Sequence, residues 1–176
     1  HRMPTGQFFC MENWMGTKAD KAEARRLAAI KPPADVPADA PYWLPGFIDS
    51  HVHIESSMMV PAEFARVAVE QGTIGVITDP HEIGNVLGVE GIDFMINSGR
   101  HIRFNFCFGA PSCVPSCGTD IETSGAQLNS KDIESLMARP DIGFLAEMMN
   151  YPGVLTEDPE VMRKIRAALA NGKRVD

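Results

Sequence analysis

The sequence predicts an α/β protein assembled from consecutive βα units. Three observations carry that expectation. Strand-like and helix-like segments alternate from residue 44 onward, and strand starts recur roughly every thirty residues, the length of one βα unit. The residues best suited to chemistry fall at or just after the C-terminal end of a strand, where parallel α/β proteins build their sites. Periodicity alone leaves an open doubly wound sheet and a barrel equally open.

Taken in order, Leu44–His53 reads as the first strand. Pro61–Gln71 reads as a helix, with proline at its first position and Gly72 just past its end. Ile74–Asp79 is rich in β-branched residues and reads as a second strand ending at Pro80. Val89–Ser98 is predicted helical, with Val89, Ile92 and Ile96 on one face and Gly99 as the stop. Arg103–Gly109 alternates as a third strand. Asn129–Ala138 is a third helix, started by Asn129 or Ser130 and buried through Ile133, Leu136 and Met137. Ile142–Glu147 is a fourth strand. Pro159–Ala170 is a fourth helix, capped by Asp158, closed by Gly172 and striped by Val161, Ile165 and Leu169. Lys173–Asp176 reads as the start of a fifth strand. The first forty residues differ: Thr17–Ile30 suggests an exposed helix and Lys31–Pro41 a proline-rich linker. Two parts are therefore expected, an N-terminal helical segment with its linker over 1–41 and the α/β body over 42–176.

Composition narrows the class of function. The chain has 176 residues, 44% hydrophobic and 22% charged, which is ordinary for a globular protein with its own core. No apolar run reaches the eighteen or so residues of a membrane span, and no leader pattern is seen, so cytoplasm is the expected compartment. Net charge is −7, and residues 41–176 hold ten Lys/Arg against eighteen Asp/Glu. An acidic body without a basic stripe argues against nucleic acid and fits a small neutral substrate beside cations. Cys10, Cys107, Cys113 and Cys117 lack the paired spacing of a zinc site. Unbridged thiols are expected, with a labile Cys113–Cys117 bridge as the alternative reading.

Pro45-Gly-Phe-Ile-Asp-Ser-His-Val-His53 holds the strongest chemical signal. Alternation along a strand puts His51 and His53 on one face, and two neutral imidazoles aimed at one point chelate a divalent metal. The alternative is a pair of polar residues on a solvated strand face. Glu147 ends the nearly all-apolar Ile142–Ala146 run, where an ionised carboxylate needs a partner or a metal; its alternative is a carboxylate on backbone amides at a helix N-terminus. Asp79 reads equally as a turn or cap residue and as a functional one. Ser112 is either a turn residue or a substrate contact on the site-facing loop.

Pro45–Ser57 (PGFIDSHVHIESS) resembles the first barrel strand of the amidohydrolase superfamily, and its Glu-Ser-Ser extension resembles the adenine deaminase branch. Asp79-Pro-His-Glu-Ile-Gly-Asn-Val-Leu-Gly88, Ala110-Pro-Ser-Cys-Val-Pro115, Thr123-Ser-Gly-Ala126 and Glu147-Met-Met-Asn-Tyr-Pro-Gly153 agree in the family's order, so the resemblance runs from about Leu44 to Asp176. It implies a partial TIM-type (β/α)8 barrel of about four βα units, the first half of the family's metal-dependent barrel. It also implies metal-dependent hydrolytic deamination of adenine to hypoxanthine and ammonia, a purine-salvage reaction, with manganese or iron as the expected ion and zinc as an alternative. His51, His53 and Glu147 are the implied ligands, with Glu147 in the bridging role. His81 or Glu82 is implied to contribute an additional metal position or support around it, with His81 the candidate ligand and Glu82 the candidate catalytic residue; Glu55 and Ser112 are candidate substrate contacts. The family's acid/base aspartate on strand eight and its two histidines from strands five and six are expected beyond Asp176, so the chain alone is expected to be inactive. A homo-oligomer, or completion by the other half of the barrel, is the expected assembly. Two other functions stay open: another cyclic-amide amidohydrolase reaction, or a non-catalytic metal-binding half-barrel that needs a partner chain.

Overall fold

The computed structural model describes residues 45–176 apart from Thr119. The expected helix Thr17–Ile30, the linker Lys31–Pro41 and Cys10 lie outside the described residues. Gly46–Asp176 forms one compact unit. Five strands succeed one another through it: β1 (Phe47–Val52), β2 (Thr73–Thr78), β3 (Asn105–Pro111), β4 (Ile142–Ala146) and β5 (Arg174–Val175). All pair in parallel, in sequence order, β1-β2-β3-β4-β5. A doubly wound sheet reverses its order at a switch point, whereas a barrel adds each strand beside the last. The order therefore decides for the partial TIM-type barrel.

The helices between them are α1 (Pro61–Glu70), α2 (His81–Leu87), α3 (Val89–Gly99), α4 (Ser130–Met137), α5 (Tyr151–Leu155) and α6 (Pro159–Ala170). Helix α4 begins on a reciprocal box: the Asn129 side chain accepts from the amides of Lys131 and Asp132, and Asp132 accepts from the Asn129 amide at 2.9 Å. Asp158 caps α6 by accepting from the amides of Glu160 and Val161 at 2.9 and 3.0 Å. Gly72 and Gly172 leave α1 and α6 at φ +86 and +67, a region that favours glycine. Gly99 has another reason for being small: a Cβ there would lie 3.0 Å from the Phe106 ring.

Strand β1 is largely exposed, with Phe47 59% accessible, because it is the edge strand of the described sheet. Two sequence expectations need correction. Helix α6 buries Val161, Lys164, Ala167 and Ala168, while Leu169 is 62% exposed. Its inner face is thus rotated relative to the Val161–Ile165–Leu169 stripe, since the two alanines permit close approach and Lys164 finds buried acceptors. Helices α2 and α5, each under two full turns and rich in Gly, Pro and Asn, were not expected.

The core lies between sheet and helices, through Val76, Ile92, Ile133, Leu136, Met137 and Leu145. At the sheet edge where β4 begins, the Arg139 guanidinium grips both Asp141 oxygens at 2.9 and 3.1 Å and reaches Asp93 of α3 at 2.6 Å. Lys173, just before β5, donates to the carbonyls of Met137 and Arg139. Hydrogen bonds from Arg139 hold the Asp141 carboxyl below its usual 3.8.

Two outcomes follow for equilibrium urea denaturation. Leu145→Ala, at a fully buried position, costs about 2–5 kcal/mol, whereas Leu169→Ala stays within about 0.5 kcal/mol. Because the Asp141 carboxyl is lowered in the folded state, its stabilisation is present above pH 3.8 and lost as pH falls through the lowered value. Arg139→Met is therefore less stable than wild type at neutral pH, by on the order of 1 kcal/mol, and the gap closes in acid.

Candidate metal centre

Parallel pairing aligns the strand tips, with Val52 opposite Thr78 and Pro111 opposite Ala146. The residues just past those tips consequently meet. His51 lies at the end of β1 and His53 one residue beyond it, while Ile54, fully buried, anchors the turn that follows. Glu147 directly follows β4. His51 Nε2 is 3.2 Å from His53 Nε2 and 3.2 Å from Glu147 Oε1, and His53 Nε2 is 3.5 Å from Glu147 Oε2. One ligand atom from each of the three lies within 4.8 Å of the others.

The outer ring nitrogens decide what the inner ones offer. His53 Nδ1 is 2.9 Å from the Asp79 carbonyl, which can only accept, so the ring proton sits on Nδ1. His51 Nδ1 faces the Asp176 carboxylate at 3.4 Å. The His53 Nε2 lone pair thus faces inward, toward His51 Nε2 and Glu147. Two nitrogens with one carboxylate are a donor set suited to iron, manganese or zinc. The residues fit a divalent metal.

A second group of polar atoms surrounds this centre. Asp79 is 2% exposed, and neither carboxylate oxygen has a hydrogen-bond partner among the described residues. Burial, opposed by His53, pushes its carboxyl up to about 8. Glu55 also titrates above its usual value through burial; one oxygen accepts from the Ile83 amide and the other is orphaned. Glu82 accepts from Ser56 Oγ at 2.7 Å, and its other oxygen is 3.4 Å from His53 Nδ1, whose single proton is spent on the nearer Asp79 carbonyl. His81 contacts Ser116 Oγ at 3.0 Å through Nε2, leaves Nδ1 without a partner among the described residues, and is held below its usual pKa by burial. Burial also disfavours the charged form of His53, but Glu82, Asp79 and Glu147 outweigh it and raise its pKa.

His51, His53 and Glu147 are therefore brought together, and Glu55, His81 and Glu82 stand in the flanking group. Ser112 is elsewhere than expected for an open contact: it is 1% exposed, and its hydroxyl donates to the Glu147 carbonyl. Sequence reasoning missed Asp176 as a residue facing His51, because β5 carried no motif beyond its alternation. It missed Lys164 too, hidden as the polar member of a helix. Cys113 and Cys117 form no disulfide. Met58, just past the histidine motif, is 96% exposed at a left-handed backbone position.

Parallel strands in barrel order, with a His-x-His pair and a glutamate at their C-terminal tips that could hold a metal ion, define a protein of the (β/α) barrel class. The model of the amidohydrolase family matches residues 42–176, and the chain belongs to that family. It is similar to an adenine deaminase of Salinibacter ruber, 53% identical over 150 residues, covering 85% of this chain and 27% of that protein. Adenine deaminases of Parabacteroides distasonis and Methanosarcina barkeri are 57% and 52% identical over 135 residues, 77% of this chain and 24% of each relative. The chain thus spans about a quarter of the length of the relatives it matches. Among the described residues no helix is long and apolar enough to cross a membrane.

Replacing Glu147 by glutamine tests its place in the ligand set. Manganese is expected to raise the thermal midpoint of wild type and not of Glu147→Gln; an equal rise in the variant would remove Glu147 from the ligand set.

Proposed function

We propose that this chain carries part of the metal half-site of an adenine deaminase, which hydrolyses adenine to hypoxanthine and ammonia. In that reaction water's oxygen bonds to C6, and the C6–amino bond breaks. The single observation behind this reading is the convergence of His51, His53 and Glu147 in a sequence about half identical to proteins named adenine deaminase. A divalent ion held there, manganese or iron in our reading with zinc as the alternative, brings the pKa of water toward neutrality.

The chain's own residues supply orientation and proton traffic. Asp79's carbonyl keeps the Nε2 lone pair of His53 inward, and Asp176's carboxylate faces the outer nitrogen of the His51 ring. Glu82, oriented by Ser56 and beside His53, is assigned to proton handling, and His81 is assigned as a further ligand. Glu55, with an orphaned oxygen, is assigned to the substrate. The three ligands are half of a complete set on this reading. Further ligands from additional barrel strands or from a second copy complete it, and the exposed β1 edge is where such an addition pairs. Purine salvage in the cytoplasm is the proposed setting.

A second reading, a cyclic-amide hydrolase, uses the same ligands. The likeness of the sequence to proteins named adenine deaminase favours the purine.

Titration of the chain with manganese or ferrous iron by calorimetry tests the half-site. Wild type is expected to bind, and the His51→Ala/His53→Ala double variant to lose binding by more than about tenfold. Binding that is equal in the two would sink the proposal. For the complete enzyme, ammonia release from purines but not from hydantoins or dihydropyrimidines separates the two readings.

A further inference from the structure

Lys164 is a buried cation that the site as described does not use. It lies on the inner face of α6 and is 8% exposed. Its ammonium donates to the Ser112 carbonyl at 2.8 Å and the Leu128 carbonyl at 2.7 Å. Ser112 sits directly past β3, is 1% exposed, and donates its hydroxyl to the carbonyl of Glu147. That same carbonyl accepts from the Met149 amide at 2.8 Å, and the Met148 amide donates to Asp176 at the end of β5 at 2.9 Å. A continuous line of hydrogen bonds thus runs from helix α6, through the tip of β3, to the backbone of the carboxylate ligand.

We infer that Lys164 and Ser112 are positioning residues that set the Glu147 carboxylate for metal binding, although neither touches the ion. A methionine would fill the same space without the cost of burying a charge. What the lysine adds is a two-pronged tie between carbonyls on separate segments, one of them the residue that holds Glu147. An open pocket of about 140 Å³ is lined by Ser112, Cys113, Leu128, Met148, Asn150 and Lys164, so the segment just past Glu147 is not packed on that side. Burial lowers the pKa of Lys164, in keeping with its enclosed position.

The inference rests on reading His51, His53 and Glu147 as metal ligands, so its test separates the two. Lys164→Met and Ser112→Ala are compared with wild type in the full chain, with Leu169→Ala as an exposed control on α6. Amide exchange of segment 146–150 in metal-free protein is expected to quicken about tenfold in both variants and in neither wild type nor control. Manganese affinity by calorimetry is expected to fall about tenfold in both. Lys164→Arg, which keeps two donors and has the neighbouring cavity for its extra volume, restores both properties. Unchanged exchange in the two variants overturns the inference, as does quickened exchange with manganese affinity intact. If wild type takes up no manganese while the variants still loosen segment 146–150, the metal reading fails and the hold of Lys164 and Ser112 on Glu147 stands.

Discussion

Two imidazole nitrogens and a carboxylate meet within 3.5 Å of one another. Much of the described structure follows from keeping that meeting in place. Each ligand is held by the tip of a strand other than its own: His53 by Asp79 after β2, Glu147 by Ser112 after β3, His51 by Asp176 after β5. Parallel pairing in sequence order is what makes this mutual support geometrically available, since it brings every C-terminal tip to one edge. A one-residue slip of β1 would turn both histidines to the other face and leave the carboxylate alone.

The other edge of the sheet does a different job. Arg139 joins Asp93 to Asp141, and Lys173 ties the end of α4 to the start of β5. These charges are paired or bonded to carbonyls, whereas Asp79, Glu55, His81 and Glu82 at the site edge retain orphaned atoms. Unpaired buried polar atoms cost stability and persist where something else uses them. Stability is thus concentrated at the strand starts and chemistry at the strand ends, the division expected of a barrel.

Much of this could be read from residue order. Strand and helix positions followed from period-2 and period-3.6 patterns with proline, glycine and asparagine as punctuation. Asn129, Asp158, Gly72 and Gly172 act where those rules put them. The ligands were legible because His-x-His and a glutamate ending an apolar strand are local signals. Helices α2 and α5 were not legible: Gly84, Asn85, Pro152 and Gly153 are turn residues by propensity, and contacts with neighbouring elements fold them into short helices. Leu169 was misplaced because periodicity identifies an apolar stripe but not which side faces inward.

The sequence by itself determined the alternation of βα units, the position of His51, His53 and Glu147 at strand ends, and the acidic character of the body. These depend on near neighbours in the chain, where spacing and propensity act directly. Only the tertiary structure decided the barrel-like strand order, the exposure of β1, the contact of Asp176 with His51, and the line from Lys164 through Ser112 to Glu147. Those depend on which carbonyls and carboxylates come within 3.4 Å across 26 to 125 residues of chain. Long-range pairing of that kind is set by packing and register, and no local pattern encodes it.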